Sequence, residues 1–408
     1  VRVCLVTQWF PPENGAVVPE SMARSLVERG HTVEVLTGFP NYPEGRLHDG
    51  WRIRHYQRDE FAPGITVHRA PLWPNHEPSA VKRMANYLSF AAGATAVALT
   101  RIPRPDVWLT YSSPATAALP AMLARRGVRA PSAMVVQDLW PDSVTGSGFL
   151  PGRASKTLDR AIAPFCHLTY RHARRIGVIS PGMADVLIAR GVNPEKIRHT
   201  PNSVDASRLE TAQPADLHAE LGAAGERIFL YAGNMGPMQD LVPLVRAFDG
   251  VHGAHLLLVG DGVERSLIEA AAAEVVNVHV RPPVPTEEVG RLIMGADVQV
   301  VSLRDTALLR VTMPSKVQTS LASGKPTLVH AAGDAAALIV DSQAGLAARP
   351  GEVESIRRAI RTIVEASSEQ LAAMGQRARH AFDERFSPSA AGLQLEAMLL
   401  SALDDEER

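Results

Sequence analysis

The chain has 408 residues, too many for one ordinary core and suited to two domains of about 200 residues. With 46% apolar and 21% charged residues it has a globular composition, which excludes a disordered chain. A formal net charge of −1 gives no basic surplus for nucleic acid, and two cysteines, Cys4 and Cys166, exclude a disulfide framework or zinc spacing, so a reducing, cytoplasmic setting is expected.

The chain opens on Arg2–Val6, a strand-like apolar run with Cys4 inside it as a core thiol, and nothing there reads as a signal peptide. The loop 8–16, QWFPPENGA, follows and leads into a helix over 19–29, stopped by Gly30. Gly15 lets the backbone approach an anion, which helix-start N–H groups attract; a plain strand-to-helix turn is the alternative. Strands are predicted at 32–37, 66–68, 107–111, 133–136 and 176–179. Between them, 84–100 is apolar, slightly short of a membrane span, and flanked by Lys82, Arg83, Arg101 and Arg104. It reads either as a buried helix or as a helix touching a membrane surface along 82–104. The loop 136–148, VQDLWPDSVTGSG, carries Asp138, Trp140 and Asp142 beyond a strand end.

A polar, proline-interrupted stretch at 201–214 reads as a linker between domains at 1–200 and 215–386. The strand-and-helix pattern then repeats, with strands at 228–231, 255–259, 278–280, Val298–Ser302 and Thr327–His330. Three loops stand out. GNMGPMQD (233–240) holds Gly233, Asn234, Gly236 and Gln239 and suits a phosphate cradle. VGDG (259–262), with Gly260 and Asp261, suits a flat base or a mere turn. The segment 302–326 places Arg310, Val311, Thr312, Met313, Ser315, Lys316 and Thr319 around a proline-initiated helix start. Cations at a helix N-terminus are unfavourable unless an anion sits there. The end, 387–408, predicts a helix lying back across the first domain and a frayed acidic tail at 404–408.

Two rounds of this α/β pattern predict two Rossmann-like domains with parallel sheets facing a central cleft, and ligands beyond the strands' carboxyl ends. No D-x-D pair and no metal-ligand spacing occurs, so neither a metal nor another cofactor is expected.

The stretches FPPENGA, GHTVEVLTGFPNYPEGR, PLWPNH, NYLSFA, QDLWPDS, PNSVD, YAGNMGPMQDL, LRDTALLRVTMPSK and LASGKP, spread over nearly the whole chain, resemble the family-4 retaining glycosyltransferases of GT-B fold. Within them the chain resembles bacterial polysaccharide-type N-acetylhexosamine or hexosyl transferases. The resemblance implies a metal-independent transfer from a nucleoside-diphosphate sugar to a lipid-linked glycan or a small hydroxyl or thiol. It makes Asn14 and Gly15 donor-approaching residues and assigns Gly233, Asn234, Gly236 and Gln239 to the donor loop. It puts Asp138 where relatives carry a histidine, with Glu13, Trp140 and Asp142 toward the acceptor. Arg310 and Lys316 become diphosphate cations, and the backbone of 311–313 a cup for sugar hydroxyls. Two departures are clear: relatives' glutamate pair falls at Val311 and Thr319 here, so ribose loses a carboxylate partner, and Pro237, Met238 and Gln239 stand where relatives' donor loop carries basic residues. An epimerase or hydrolase on the same fold, or an inactive sugar-nucleotide-binding protein, are the competing readings. A nucleotide sugar is the expected partner throughout, and nucleic acid is not.

Overall fold

The computed structural model describes residues 1–77, 79–124, 130–145 and 152–404. The chain divides into two compact units, Val1–Ser203 with Pro388–Arg408, and Val204–Ser387.

In the first unit eight described strands form one sheet: β1 (Arg2–Val6), β2 (Thr32–Gly38), β3 (Gln57–Ala62), β4 (Ile65–Ala70), β5 (Val107–Ser112), β6 (Ser132–Val136), β7 (Arg175–Val178) and β8 (Ile197–His199). Their order is β3-β4-β2-β1-β5-β6-β7-β8. All neighbours run parallel except β3, which pairs antiparallel with β4. Parallel strands need crossovers, and helices supply them on both faces. Phe90, Ala94 and Val97 of the helix Ala80–Thr100 pack with Cys4, Val6, Leu36 and Trp108 of the sheet. Both Cys4 and Cys166 are buried free thiols, and burial raises both above the ordinary thiol range, Cys166 to about 11.

The helix Pro388–Asp404 belongs to this unit. Gly392 lets it approach the helix Val17–Glu28 closely: a Cβ there would sit 1.7 Å from Ser25 Oγ. Glu396 accepts from Arg29 Nε (2.5 Å) and pairs with His31 Nε2 (2.8 Å). Of the tail predicted to fray over 404–408, Asp404 closes the helix, and 405–408 lie outside the described residues, as do 146–148 of the loop beginning at 136.

The second unit has six described strands, β9 (Arg227–Ala232), β10 (Ala254–Val259), β11 (Val278–Arg281), β12 (Val298–Ser302), β13 (Thr327–His330) and β14 (Gly345–Ala348), all parallel and ordered β11-β10-β9-β12-β13-β14. Apolar side chains cover both faces of this sheet. Residues 204–214, read from sequence as linker, are part of this unit. They include the helical turn Ser207–Glu210, and Ala206 and Leu209 are buried. Two apolar residues among polar ones are enough to seat a turn on a core, and composition averages them away.

Three strands escaped the sequence reading: β3, β8 and β14. Each is a sheet edge or the neighbour of open solvent, so none needs the continuous apolar run that marks a strand buried on both faces.

Candidate functional site

In the second unit the strand order reverses between β9 and β12. Loops leaving the carboxyl ends of such a pair cannot cover each other's strands, which leaves an open crevice. Here the two loops are tied together. Ser302 Oγ, at the end of β12, donates to Gln239 O (2.5 Å), and Arg304 N–H donates to Met238 O (2.8 Å). Gln239 in turn organises its own loop: its Oε1 accepts from Asn234 Nδ2 (2.9 Å) and Gly236 N–H (3.2 Å).

The floor is backbone on backbone. Gly233 N–H donates to Val259 O and Met235 N–H to Asp261 O, both at 2.8 Å. A Cβ on Gly260 would lie 1.9 Å from Gly233 O, and one on Gly262 2.3 Å from Met235 O. These contacts require glycine. Asp261 is exposed, and its side chain accepts from Gly262 N–H.

Lys316 stands over this floor from the first turn of the helix Ser315–Ala322. Its Nζ donates to Tyr231 Oη (2.8 Å) and lies 4.5 Å from the centre of that ring. Tyr231 Oη donates onward to Asn234 O (2.6 Å). A Cβ on Gly233 would sit 2.5 Å from Lys316 Cε. Among the described residues no carboxylate pairs with this ammonium, and burial pulls it down to about 8. The amide dipoles of the helix start oppose its charge as well. Thr319 stands about one turn further along the same helix face.

Arg310 is differently placed. It is exposed and held bidentately by Asp305 (2.5 and 2.8 Å), which raises its guanidinium further. The N–H groups of Val311 and Thr312 already bond to Leu308 O and Leu309 O at 3.3 Å each, and Met313 is buried in the core. Ser315 is exposed at the helix start. The geometry therefore unites Gly233, Asn234, Gly236, Gln239, Gly260 and Asp261 with Lys316, and leaves Arg310 tied to its own aspartate.

Sequence reasoning missed Tyr231, Ser302, Arg304 and His330. His330 is fully buried. Its Nε2 accepts from Gly351 N–H (2.7 Å), which assigns the ring proton to Nδ1, facing Ser302 Oγ at 2.9 Å. Burial lowers it to about 4, against the pull of Asp240. All four residues lie at or just past the carboxyl ends of β9, β12 and β13, a position readable once the strands were drawn.

In the first unit the reversal falls between β1 and β5. Asn14 and Gly15 are exposed on a short turn, with Gly15 close beneath the Tyr42 ring. Glu13 is buried. Its Oε1 accepts from Asn41 and Tyr42 N–H (2.8 and 2.9 Å) and its Oε2 from Phe10 N–H (3.2 Å). Burial raises its carboxyl, and these three donors with Arg69 pull it back. Glu13, expected toward the acceptor, thus pins two loops together. Arg69, also missed, bonds Gly38 O and Pro11 O (3.0 and 2.6 Å) and braces the same loops.

Asp138 is exposed, and the protein crowding its carboxyl raises it; Ser113 Oγ, donating at 2.6 Å, pulls the other way. Trp140 is buried, 5.9 Å from the Tyr87 ring. Asp142 pairs with Arg190, whose Nη1 also holds Trp140 O (2.8 Å). A cavity of about 670 Å³ opens beside these residues, lined also by Cys166, His167 and Tyr170.

Two parallel-sheet α/β units with their loops gathered at the strand reversals define the GT-B class of glycosyltransferase. The comparisons with known proteins agree. A family model for the glycosyl transferase 4-like domain matches residues 15–203, and one for glycosyl transferases group 1 matches residues 226–366. The chain is 27% identical to "Putative colanic acid biosynthesis glycosyl transferase WcaI" of Escherichia coli (strain K12) over 325 residues, 76% of this chain and 78% of that protein. Sucrose-phosphate synthase from Thermosynechococcus elongatus superposes with a TM-score of 0.74 at 18% identity, covering 99% of both chains. HepE of Anabaena, solved with UDP-glucose, superposes with a TM-score of 0.67 at 15% identity, covering 98% of this chain and 99% of that one. The chain belongs to the family-4 glycosyltransferases.

Proposed function

We propose that this chain is a retaining glycosyltransferase whose nucleoside-diphosphate sugar is held by the loops after β9, β10 and β12. The observation that carries this is Lys316: a half-buried ammonium with a phenol for company and a pKa drawn down to about 8 is a cation lacking its anion. A diphosphate supplies that anion. The glycine floor lets it approach backbone, and the amides opening Ser315–Ala322 add donors. HepE, solved with UDP-glucose, makes a uridine nucleotide the first to try.

In the reaction the sugar C1–O bond to the β-phosphate breaks. The acceptor oxygen bonds C1 from the same face, and its proton passes to the departing phosphate oxygen. Preorganised charge on the leaving group is the main catalytic contribution, and Lys316 provides it. Asp138 contacts the transferred sugar or the acceptor. No metal enters this scheme. The acceptor is a lipid-linked glycan, consistent with the polysaccharide pathway in WcaI's name, seated near the cavity beside Trp140.

The test is calorimetric titration of UDP, GDP, ADP and TDP into wild type and Lys316→Ala, with turnover measured in EDTA. At least one diphosphate should bind wild type. Lys316→Ala should lose about tenfold or more in kcat at saturating donor, about 1.4 kcal/mol of barrier. Failure to bind any nucleoside diphosphate overturns the proposal, and release of free sugar or an epimer without acceptor would replace transfer by hydrolysis or epimerisation.

A further inference from the structure

Past the carboxyl ends of its strands the first unit carries aromatic rings where the second carries glycines and a lysine. Trp9 follows β1, Tyr42 follows β2 and His76 follows β4. The Tyr42 ring centre lies 5.2 Å from that of Trp9, with the planes tilted by 47°. It lies 5.0 Å from that of His76, edge to face. All three rings are half-buried. A large ring gains most by full burial in a core. Three separate loops instead gather theirs at the edge of the sheet where ligands bind.

The gathering is fixed from several sides. Glu13 Oε1 accepts the Tyr42 N–H (2.9 Å), and Tyr42 O accepts from His48 Nε2 (3.0 Å). Gly15 lies against the ring itself: a Cβ there would come within 3.0 Å of Tyr42 Cε1. Thr7 Oγ1 donates to Trp9 O (3.0 Å). Gly45, in the loop of Tyr42, approaches the loop of His76 so closely that a Cβ would sit 2.2 Å from His76 N. Rings held in place before binding lose little freedom when a ligand arrives.

Charge and neighbours select the ligand. Burial, helped by Arg83, lowers His76 below the ordinary histidine value, so the imidazole is neutral near pH 7. The platform is then three uncharged rings with polar tips, which gives a diphosphate no counter-charge. Tyr87 stands within electrostatic reach of both Tyr42 and Asp138, and its ring lies 5.9 Å from that of Trp140. The platform therefore adjoins the loop of Asp138 and its Ser113 partner. A pyranose matches this arrangement. The C–H bonds of its apolar face meet the electron-rich faces of the rings, and its hydroxyls meet their tips and the carboxylate.

We infer that Trp9 and Tyr42 are specificity-determining residues, a stacking platform for the pyranose of the acceptor. This rests on the transfer reading above and deepens it: the acceptor group seated here is a sugar, not a small non-sugar alcohol or thiol.

Saturation-transfer NMR tests it with the methyl glycosides of glucose, galactose, mannose and N-acetylglucosamine, each with and without UDP. At least one should receive saturation from wild type. Trp9→Ala and Tyr42→Ala should each weaken that glycoside about tenfold or more, and Tyr42→Phe, which keeps the ring face, should stay within about threefold. Should Tyr42→Ala fold poorly by circular dichroism, Trp9→Leu, which fills space without a π face, should show the same loss. UDP affinity by calorimetry should be equal in wild type and every variant. Four glycosides that ignore wild type, or one that binds the Ala variants equally well, overturns the inference. Loss of UDP rather than of the glycoside would assign the platform to a nucleobase and overturn it too. Wild type that binds a glycoside but no nucleoside diphosphate sinks the donor reading and leaves the stacking result intact.

Discussion

Lys316 holds its charge where water is scarce, and that has a measurable consequence. Its ammonium titrates near 8 in the free protein, well below the usual lysine range, because burial disfavours the charged form. A diphosphate beside it favours that form and moves the titration upward. Binding near pH 8 should therefore take up about half a proton, and binding near pH 6.5 almost none. Diphosphate affinity should fall as pH rises through 8. The effect on folding has the opposite trend. The unfolded chain keeps this proton to higher pH, so Lys316 lowers stability below about 8 and stops doing so as pH rises toward the ordinary lysine value. Calorimetric titration at pH 8 in HEPES and in Tris, whose ionisation heats differ, reads the proton directly. Equal apparent enthalpies in the two buffers would remove Lys316 from the diphosphate site. Lys316→Met should show no uptake in any case.

At the scale of elements, the donor loop is shaped from outside itself. His330 on β13 fixes Ser302 on β12, and Ser302 holds Gln239, on whose side chain Asn234 and Gly236 converge. Removing the middle link, Ser302→Ala, strands the His330 Nδ1–H and frees the Gln239 carbonyl. This should cost about 1–3 kcal/mol of stability and weaken donor binding with little change in kcat at saturation. His330 also makes the second unit sensitive to acid. Its folded pKa of about 4 lies below the ordinary histidine value, so the unfolded state binds the proton first as pH falls. The stability His330 leaves intact above about pH 6.5 is lost progressively toward pH 4. Urea unfolding between pH 6.5 and 5 should show the slope, and His330→Gln should flatten it; an unchanged slope rejects the relay. This network also marks what sequence could deliver. The glycines of 233–240 and 259–262 announce a loop that needs close backbone contact, because no other residue tolerates it. Lys316 is legible because a cation at a helix start needs a reason. Ser302 and His330 carry no such mark: serine and histidine at strand ends are ordinary, and only three-dimensional proximity joins them. Arg310 reads in the sequence as a free cation, and its pairing with Asp305, five residues earlier, is one that spacing alone does not impose.

The whole molecule divides unevenly along the chain. The second unit is one continuous segment, Val204–Ser387, whereas the first is completed by Pro388–Asp404 from the far end. That helix buries Leu395, Met398 and Leu399, with Ala391 and Ala402 beside them. Three large apolar side chains at roughly 1.5–3 kcal/mol each are comparable to the total stability of an ordinary domain. Truncation after Ser387 should therefore unfold the first unit and spare the second. Scanning calorimetry should show one of two transitions disappear. The segment 204–387 produced alone should fold and still bind a nucleoside diphosphate, because every group tied to Lys316 and to the glycine floor lies inside it. It should transfer no sugar, since Asp138 and the cavity beside Trp140 belong to the first unit. A truncated chain that keeps both transitions would show that the terminal helix caps a unit already stable without it. An isolated second unit that folds but ignores every diphosphate would place the anion's main ligands elsewhere in the chain.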